Sequence, residues 1–140
     1  MGKADLHIHT AYSADGTATV AAVLEHVVHH TDLTVIAITD HDEIDGALEA
    51  LELAPHYGIE VVPGCEVSTA DGHLLALYVT EKVPARMSLV ETVATVAALG
   101  GICVVPHPGG RWRWCVQEKQ LRNALSHASI AETLVGIEPY

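Results

Sequence analysis

The chain has 140 residues, of which 49 % are hydrophobic, and this is enough for one domain with a buried core. Its net charge of −11, from 18 acidic and 7 basic residues, excludes a broad surface for the phosphate backbone of long nucleic acids. Three cysteines without a CxxC pair predict no disulfide framework. No apolar run approaches the roughly 18 residues of a membrane span, and no signal peptide is recognisable, so we expect a cytoplasmic protein without a membrane partner.

Hydrophobic periodicity divides the chain into alternating strands and helices. Strands are predicted at 3–9, 34–39, 59–66, 73–79, 101–105 and 134–138. Helices are predicted between them at 18–30, 43–57 and 88–99, together with a polar helix at 116–127. The second strand, TVIAIT, is continuously apolar, which is typical of a strand covered on both faces. The order predicts a single α/β unit over residues 1–140, built on a mainly parallel sheet.

Side chains that can bind metals stand at the carboxyl ends of four predicted strands, where functional groups of parallel α/β sheets collect. His7 and His9 end the first strand, and residues two apart on a strand point to the same face. The sequence therefore predicts that these two imidazoles converge. The other residues of this set are Asp40 and His41 after the second strand, Glu66 after the third, His107 after the fifth, and Asp15 in the first loop.

Neutral imidazoles combined with carboxylates are typical ligands of Zn²⁺, Mn²⁺ or Fe²⁺. Glu66 could bridge two such ions, and Asp15 would add compensating charge. This type of site suits hydrolysis, because a metal-bound water ionises near neutral pH and two ions hold the attacking and leaving oxygens. A structural role is the alternative: His7, His9 and Glu66 could be surface residues, and His107, between two prolines, could belong to a rigid turn.

Five motifs that occur in order resemble the PHP (polymerase and histidinol phosphatase) family: ADLHIHTAYSADG, AITDHDEIDG, VPGCEVST, GHLLALYV and VVPHPGG. The resemblance implies a distorted (β/α)₇ barrel that hydrolyses phosphoesters with up to three divalent ions. It implies that Asp40 orients the imidazoles from behind. It implies seven metal ligands, namely His7, His9, Asp15, His41, Glu66, His73 and His107. Of these, His73 begins its predicted strand, so the strand-end rule alone does not select it.

The chain departs from the family pattern in two respects. Family members carry a late Asp-x-His ligand pair, which is absent after His107, so the chain resembles the first two-thirds of the barrel, ending after about the sixth strand. Many relatives also carry a helical insertion between His73 and His107, and here that interval is short. An incomplete barrel leaves a strand edge open, which predicts a homodimer formed through that edge.

Two arginines and two tryptophans follow His107 in the stretch RWRW. Relatives often carry an arginine after the HPG turn that contacts phosphate, so the resemblance implies this role for Arg111. The fork of a guanidinium group suits a pair of phosphoryl oxygens. Trp112 and Trp114 could stack on a base or cover the core.

Together these observations favour a phosphoesterase in which a metal-bound hydroxide attacks the phosphorus of small nucleotides or short oligonucleotides. One alternative is a catalytically incomplete barrel that binds metal and acts as an interaction module. Another is a histidinol-phosphate-type phosphatase. The last is less favoured, because Asp15 stands where that branch of the family has a histidine.

Overall fold

The computed structural model of the protein describes residues 2–139. Six strands and five helices follow one another as β1 (Lys3–Ile8), α1 (Val20–His30), β2 (Leu33–Ile38), α2 (Asp45–Tyr57), β3 (Glu60–Thr69), β4 (Gly72–Leu77), α3 (Leu89–Ala98), β5 (Ile102–Pro106), α4 (Glu118–Leu125), α5 (Ala128–Ala131) and β6 (Leu134–Glu138). The predicted elements agree with these within a few residues, except that the predicted polar helix is divided into α4 and the short α5. None of the helices in this part of the chain has the length and apolar character needed to cross a membrane.

The strands form one sheet in the order β1-β2-β3-β4-β5-β6. The pairs β1–β2, β2–β3 and β5–β6 are parallel, whereas β4 runs antiparallel to both β3 and β5. Within residues 2–139, three of the five strand pairs are parallel, so the predicted mainly parallel sheet is confirmed, with β4 as an antiparallel exception. The physical reason is the short connection between β3 and β4, which permits a hairpin, whereas a parallel crossover needs a dozen or more residues.

Both faces of the sheet are apolar, and residues on each strand alternate between them. Ile36 and Ile38 pack on the helical side with the buried residues of α1, α2 and α3, whereas Ala37 between them belongs to a second cluster on the other face. That second cluster also contains Val62, Leu75 and Leu77. A period of two with both sets buried is the pattern of a sheet covered on both faces. The helices therefore lie on the outer face, and the inner face is closed by its own side chains.

The sheet curls, so that its first and last strands approach each other. His7 of β1 lies 2.7 Å from Glu138 of β6 through Nδ1 and Oε2. The sheet thus forms an open, six-stranded part of a barrel, as the predicted α/β architecture requires. Within residues 2–139, β1 and β6 are the edge strands of the sheet, and a cleft of about 580 Å³ lies between them. The homodimer that we expect through this edge stays a prediction.

Candidate metal centre

The carboxyl ends of β1, β2, β3 and β5 meet around one cavity of about 270 Å³. The structure brings together all seven residues for which the sequence predicts a role as metal ligand. The cavity is lined by His7, His9, Asp15, His41, Glu66, His73, His107, Trp112, Trp114 and Cys115. Side chains from distant parts of the chain therefore share one site, as the rule for strand ends predicts.

Glu66 lies at the centre of this site and is 1 % exposed. Its Oε2 atom is 2.9 Å from Nε2 of His7 and 2.9 Å from Nε2 of His9. Its Oε1 atom is 2.9 Å from Nδ1 of His73 and 3.4 Å from Nε2 of His107. Nδ1 of His41 is also 3.5 Å from Oε2, so each carboxylate oxygen faces a different group of imidazoles, an arrangement that could bridge two cations.

Five imidazoles form a closed ring around Glu66. Adjacent ring centroids are 4.6–6.2 Å apart in the order His7, His9, His41, His73, His107 and back to His7. Their nitrogens are thus crowded around one carboxylate. Neutral imidazole is the form that binds metals, so this arrangement suits ligation.

Backbone pairing sets the position of His41 beside Glu66. The two residues form a parallel bridge beyond the end of β2, in which Glu66 N donates to the Asp40 carbonyl at 3.1 Å. The His41 N–H donates to Oγ of Ser13 at 2.7 Å. His41 is thereby fixed by β3 on one side and by the first loop on the other.

Asp15 closes the cavity from the loop between β1 and α1. Its Oδ2 atom is 3.0 Å from Nδ1 of His9 and 3.3 Å from Nε2 of His41. The loop turns tightly at Gly16, where an added Cβ would lie only 2.0 Å from the Thr10 carbonyl oxygen. A glycine is required at this position by the close approach of the two backbone segments.

The antiparallel direction of β4 explains why His73 lies in the site. His73 pairs with Ser68 across the hairpin, so the beginning of β4 lies at the same edge as the end of β3. The strand-end rule does not select this residue because it applies to parallel strands. In a hairpin, the first residues of the returning strand are equivalent to strand ends.

Charge pairing within the site changes the pKa values of its groups. Burial alone would lower the pKa of His7, but the carboxylates of Glu66 and Glu138 outweigh it and raise the pKa to about 9. The pKa of His9 is raised, mainly by Glu66. Burial opposes ionisation of Glu66, but the imidazoles of His7, His73 and His9 hold the pKa of this carboxyl well below its usual range. Glu66 is therefore an anion, ready to meet a cation.

Asp40 is fully buried and supports the site indirectly. Its Oδ1 accepts a hydrogen bond from the Thr10 N–H at 2.6 Å, and its Oδ2 accepts one from the Thr10 hydroxyl at 2.8 Å. These bonds fix the backbone directly after His9. Asp40 thus acts on His9 through the chain, and its predicted role in orienting the imidazole rings stays a prediction.

Arg111 lies in the exposed loop after His107 and is not among the residues that line the cavity. Its contact with phosphate stays a prediction. The backbone of His107 itself has a φ of +36°, which is rare for a residue other than glycine. It is held there by a hydrogen bond from its N–H to the Glu138 carbonyl at 2.9 Å.

Two residues near the site were not selected from the sequence. Glu138, at the end of β6, contacts Nδ1 of His7, and Cys115 Sγ lies 3.4 Å from Nδ1 of His107. Contacts of this kind fix the orientation of ligating imidazoles. The strand-end rule could have selected Glu138, whereas no sequence pattern indicates the position of Cys115.

The residues of the site fit divalent metal ions. Three overlapping groups each hold three ligand atoms within 4.8 Å of one another: His7, His9 and Glu66; His9, Asp15 and His41; and His41, Glu66 and His73. Within residues 2–139, two buried atoms of the site, His9 Nε2 and Glu66 Oε1, lack a hydrogen bond of good geometry. Buried polar atoms normally have a partner, and a cation would supply one here.

The comparison with known proteins agrees with this geometry. A model of the PHP domain family matches residues 5–130. The chain belongs to the PHP domain family. An uncharacterized protein of Methanocaldococcus jannaschii is 36 % identical over 116 residues, which are 76 % of this chain and 67 % of that protein. A phosphoribosyl 1,2-cyclic phosphate 1,2-diphosphodiesterase of Eggerthella lenta is 38 % identical over 91 residues, which are 61 % of this chain and 34 % of that enzyme.

Solved structures show the same PHP fold. A two-domain protein of Bacteroides vulgatus, which contains a predicted PHP-like metal-dependent phosphoesterase, superposes with a TM-score of 0.76 at 18 % identity. The match covers 96 % of this chain and 43 % of that one. The chain thus spans less than half of that protein and about a third of the diphosphodiesterase. The family match and the shared fold confirm the predicted PHP family.

Proposed function

We propose that this PHP domain hydrolyses phosphoester bonds of small nucleotides or short oligonucleotides. The observation that carries the proposal is the position of Glu66, a buried carboxylate that presents its two oxygens to separate groups of imidazoles. The diphosphodiesterase of Eggerthella lenta, which cleaves a phosphodiester, supports this reaction class. The net charge of −11 favours small substrates over long duplexes.

The residues of the three groups described above would hold the metal ions, which we infer to be Zn²⁺, Mn²⁺ or Fe²⁺ from the mixture of imidazole and carboxylate ligands. Bound ions of this kind lower the pKa of water and neutralise the charge of a phosphate. The protein keeps its ligands in place from behind: Asp40 holds the chain after His9, and Glu138 holds the outer nitrogen of His7. Arg111 lies in the loop that follows His107, and we assign it the contact with a phosphate at the mouth of the cavity.

Hydrolysis of bis(p-nitrophenyl) phosphate and p-nitrophenyl phosphate tests the proposal. We expect the protein loaded with Mn²⁺ or Zn²⁺ to release p-nitrophenol from at least one of these esters, and a chelator to abolish the release. Arg111→Ala should raise KM, whereas Arg122→Ala should not, because Arg122 pairs with Glu118 on an exposed helix face.

Absence of chelator-sensitive hydrolysis with both metals would refute the proposal. Tight metal binding without turnover would then indicate the alternative of a catalytically incomplete metal-binding module. Turnover of histidinol phosphate in preference to nucleotides would indicate the third alternative, a histidinol-phosphate-type phosphatase.

A further inference from the structure

The loop between β5 and α4 carries an unusual aromatic and cationic segment at the mouth of the metal cavity. Its residues Arg111, Trp112, Arg113 and Trp114 are all exposed, with 74 % of Trp112 and 45 % of Trp114 accessible to solvent. These are the two tryptophans of the chain and two of its seven basic residues. Large aromatic surfaces that are exposed to solvent beside a cavity are typical of ligand-binding sites.

Hydrogen bonds fix the backbone of this loop, so its side chains have defined positions beside the cavity. Gln117 donates to the carbonyls of Gly110 and Cys115 at 3.0 and 2.9 Å. The Cys115 N–H donates to the Trp112 carbonyl at 3.1 Å, which closes a turn around the segment. The His73 N–H donates to the Trp114 carbonyl at 2.7 Å, which joins the loop to β4.

The two tryptophans have different surroundings. The Trp114 ring stacks on the predicted ligand His73, with centroids 5.5 Å apart and planes inclined by 15°, and the Arg113 guanidinium lies 3.9 Å from its centroid. Trp114 is therefore partly covered by neighbours within the protein. Trp112 lines the same cavity but is the more exposed of the two, so its indole is the surface offered to a ligand.

We propose that Trp112 is a stacking platform for the nucleobase of a substrate whose phosphate lies at the metal centre. This inference rests on the proposed function, since it assigns the part of the substrate that lies beyond the phosphate. Every nucleobase has a planar π-face, and stacking on an aromatic side chain tolerates differences between bases. Arg111 and Arg113 add positive charge beside the indole, which suits an anionic nucleotide in a protein that is otherwise acidic.

Intrinsic tryptophan fluorescence tests this directly, because both fluorophores lie in the loop. Titration with adenosine 5′-monophosphate and with ribose 5-phosphate, in the presence of Mn²⁺, compares ligands that differ only in the base. We expect the nucleotide to bind roughly 5- to 150-fold more tightly, which is the range for stacking of one base. Trp112→Leu should bring the ratio of the two dissociation constants close to one, whereas Trp112→Phe should keep most of it.

Trp114→Phe is the matched control, because it leaves Trp112 as the single fluorophore and should preserve the ratio. Circular dichroism spectra identical to wild type would show that each variant is folded, as expected for an exposed residue. Equal affinity of the wild type for the two ligands, binding of neither, or an unchanged ratio in Trp112→Leu would each overturn the inference. Fluorescence reports binding and not the release of product. A protein that hydrolyses esters but binds the two ligands equally well would therefore refute this inference and leave the proposed function intact.

Discussion

Replacement of Glu66 by glutamine tests the centre of the site, because this residue belongs to two of the three ligand groups. Glu66→Gln keeps the shape of the side chain but removes its negative charge, and only the group of His9, Asp15 and His41 stays intact. Loss of a residue behind a ligand typically lowers metal affinity 10- to 100-fold, so loss of a shared ligand costs at least about 100-fold, or about 2.7 kcal/mol for each ion. We expect the variant to retain at most one tightly bound ion.

Asp15→Asn is the matched control, because Asp15 belongs only to the group of His9, Asp15 and His41. We expect it to retain the ions that Glu66 holds. Elemental analysis after gel filtration gives the number of ions per chain, and calorimetric titration of the chelator-treated protein gives their affinities. The reasoning is wrong if Glu66→Gln binds as many ions as the wild type, or if Asp15→Asn loses more ions than Glu66→Gln does.

Four further outcomes follow from the structure. Because the pKa of His7 is raised from 6.5 to about 9, its stabilising contribution is complete below pH 6.5 and is lost as the pH rises through 9. The Tm of the metal-free protein should therefore fall over this interval, and a rising Tm would contradict the assignment. Glu138→Gln should weaken metal binding about 10- to 100-fold in calorimetric titrations through loss of its bond to His7, whereas Glu132→Gln should not. Asp40→Asn should lower the free energy of unfolding, measured in urea, by about 1.5–3 kcal/mol, because it weakens two buried hydrogen bonds to Thr10. Asp32→Asn is the control, because Asp32 is exposed and its replacement should change the free energy of unfolding little. Equal effects of the two substitutions would refute this reasoning. Sedimentation should show a homodimer that Val135→Lys, on the edge strand β6, converts to monomer, and a monomeric wild type would exclude that mode of association.

Local patterns in the sequence predict most of the fold and of the candidate site. The strand ends near His9 and His41 follow from apolar runs that stop at polar residues, whereas β3 continues beyond Glu66 to Thr69. The geometry of α/β sheets brings these three residues together. The antiparallel direction of β4 could not be predicted, because apolar periodicity indicates that a strand exists and not which way it runs. For the same reason, the position of His73 follows from the hairpin rather than from the pattern of its own strand.

Contacts between side chains that are distant in sequence could not be predicted in this way. Asp40 stands next to His41, and only the coordinates show that its two oxygens bond to Thr10, 30 residues away. The contact of Cys115 with His107 depends on how the intervening loop turns, which composition does not determine. Glu138 is an intermediate case, since its place at a strand end was visible but its partner His7 was not.

The overlap of the three ligand groups has a consequence for how the site fills. His9 and His41 each belong to two groups, and a neutral imidazole gives its single lone pair to one cation at a time, whereas the Glu66 carboxylate can serve two. Two ions that share Glu66 could therefore bind at the same time, whereas an ion held by Asp15 would compete with them for His9 and His41. The degree of loading should then vary with the free concentration of metal, so that the supply of ions in the cell, and not the protein alone, sets the fraction of competent molecules.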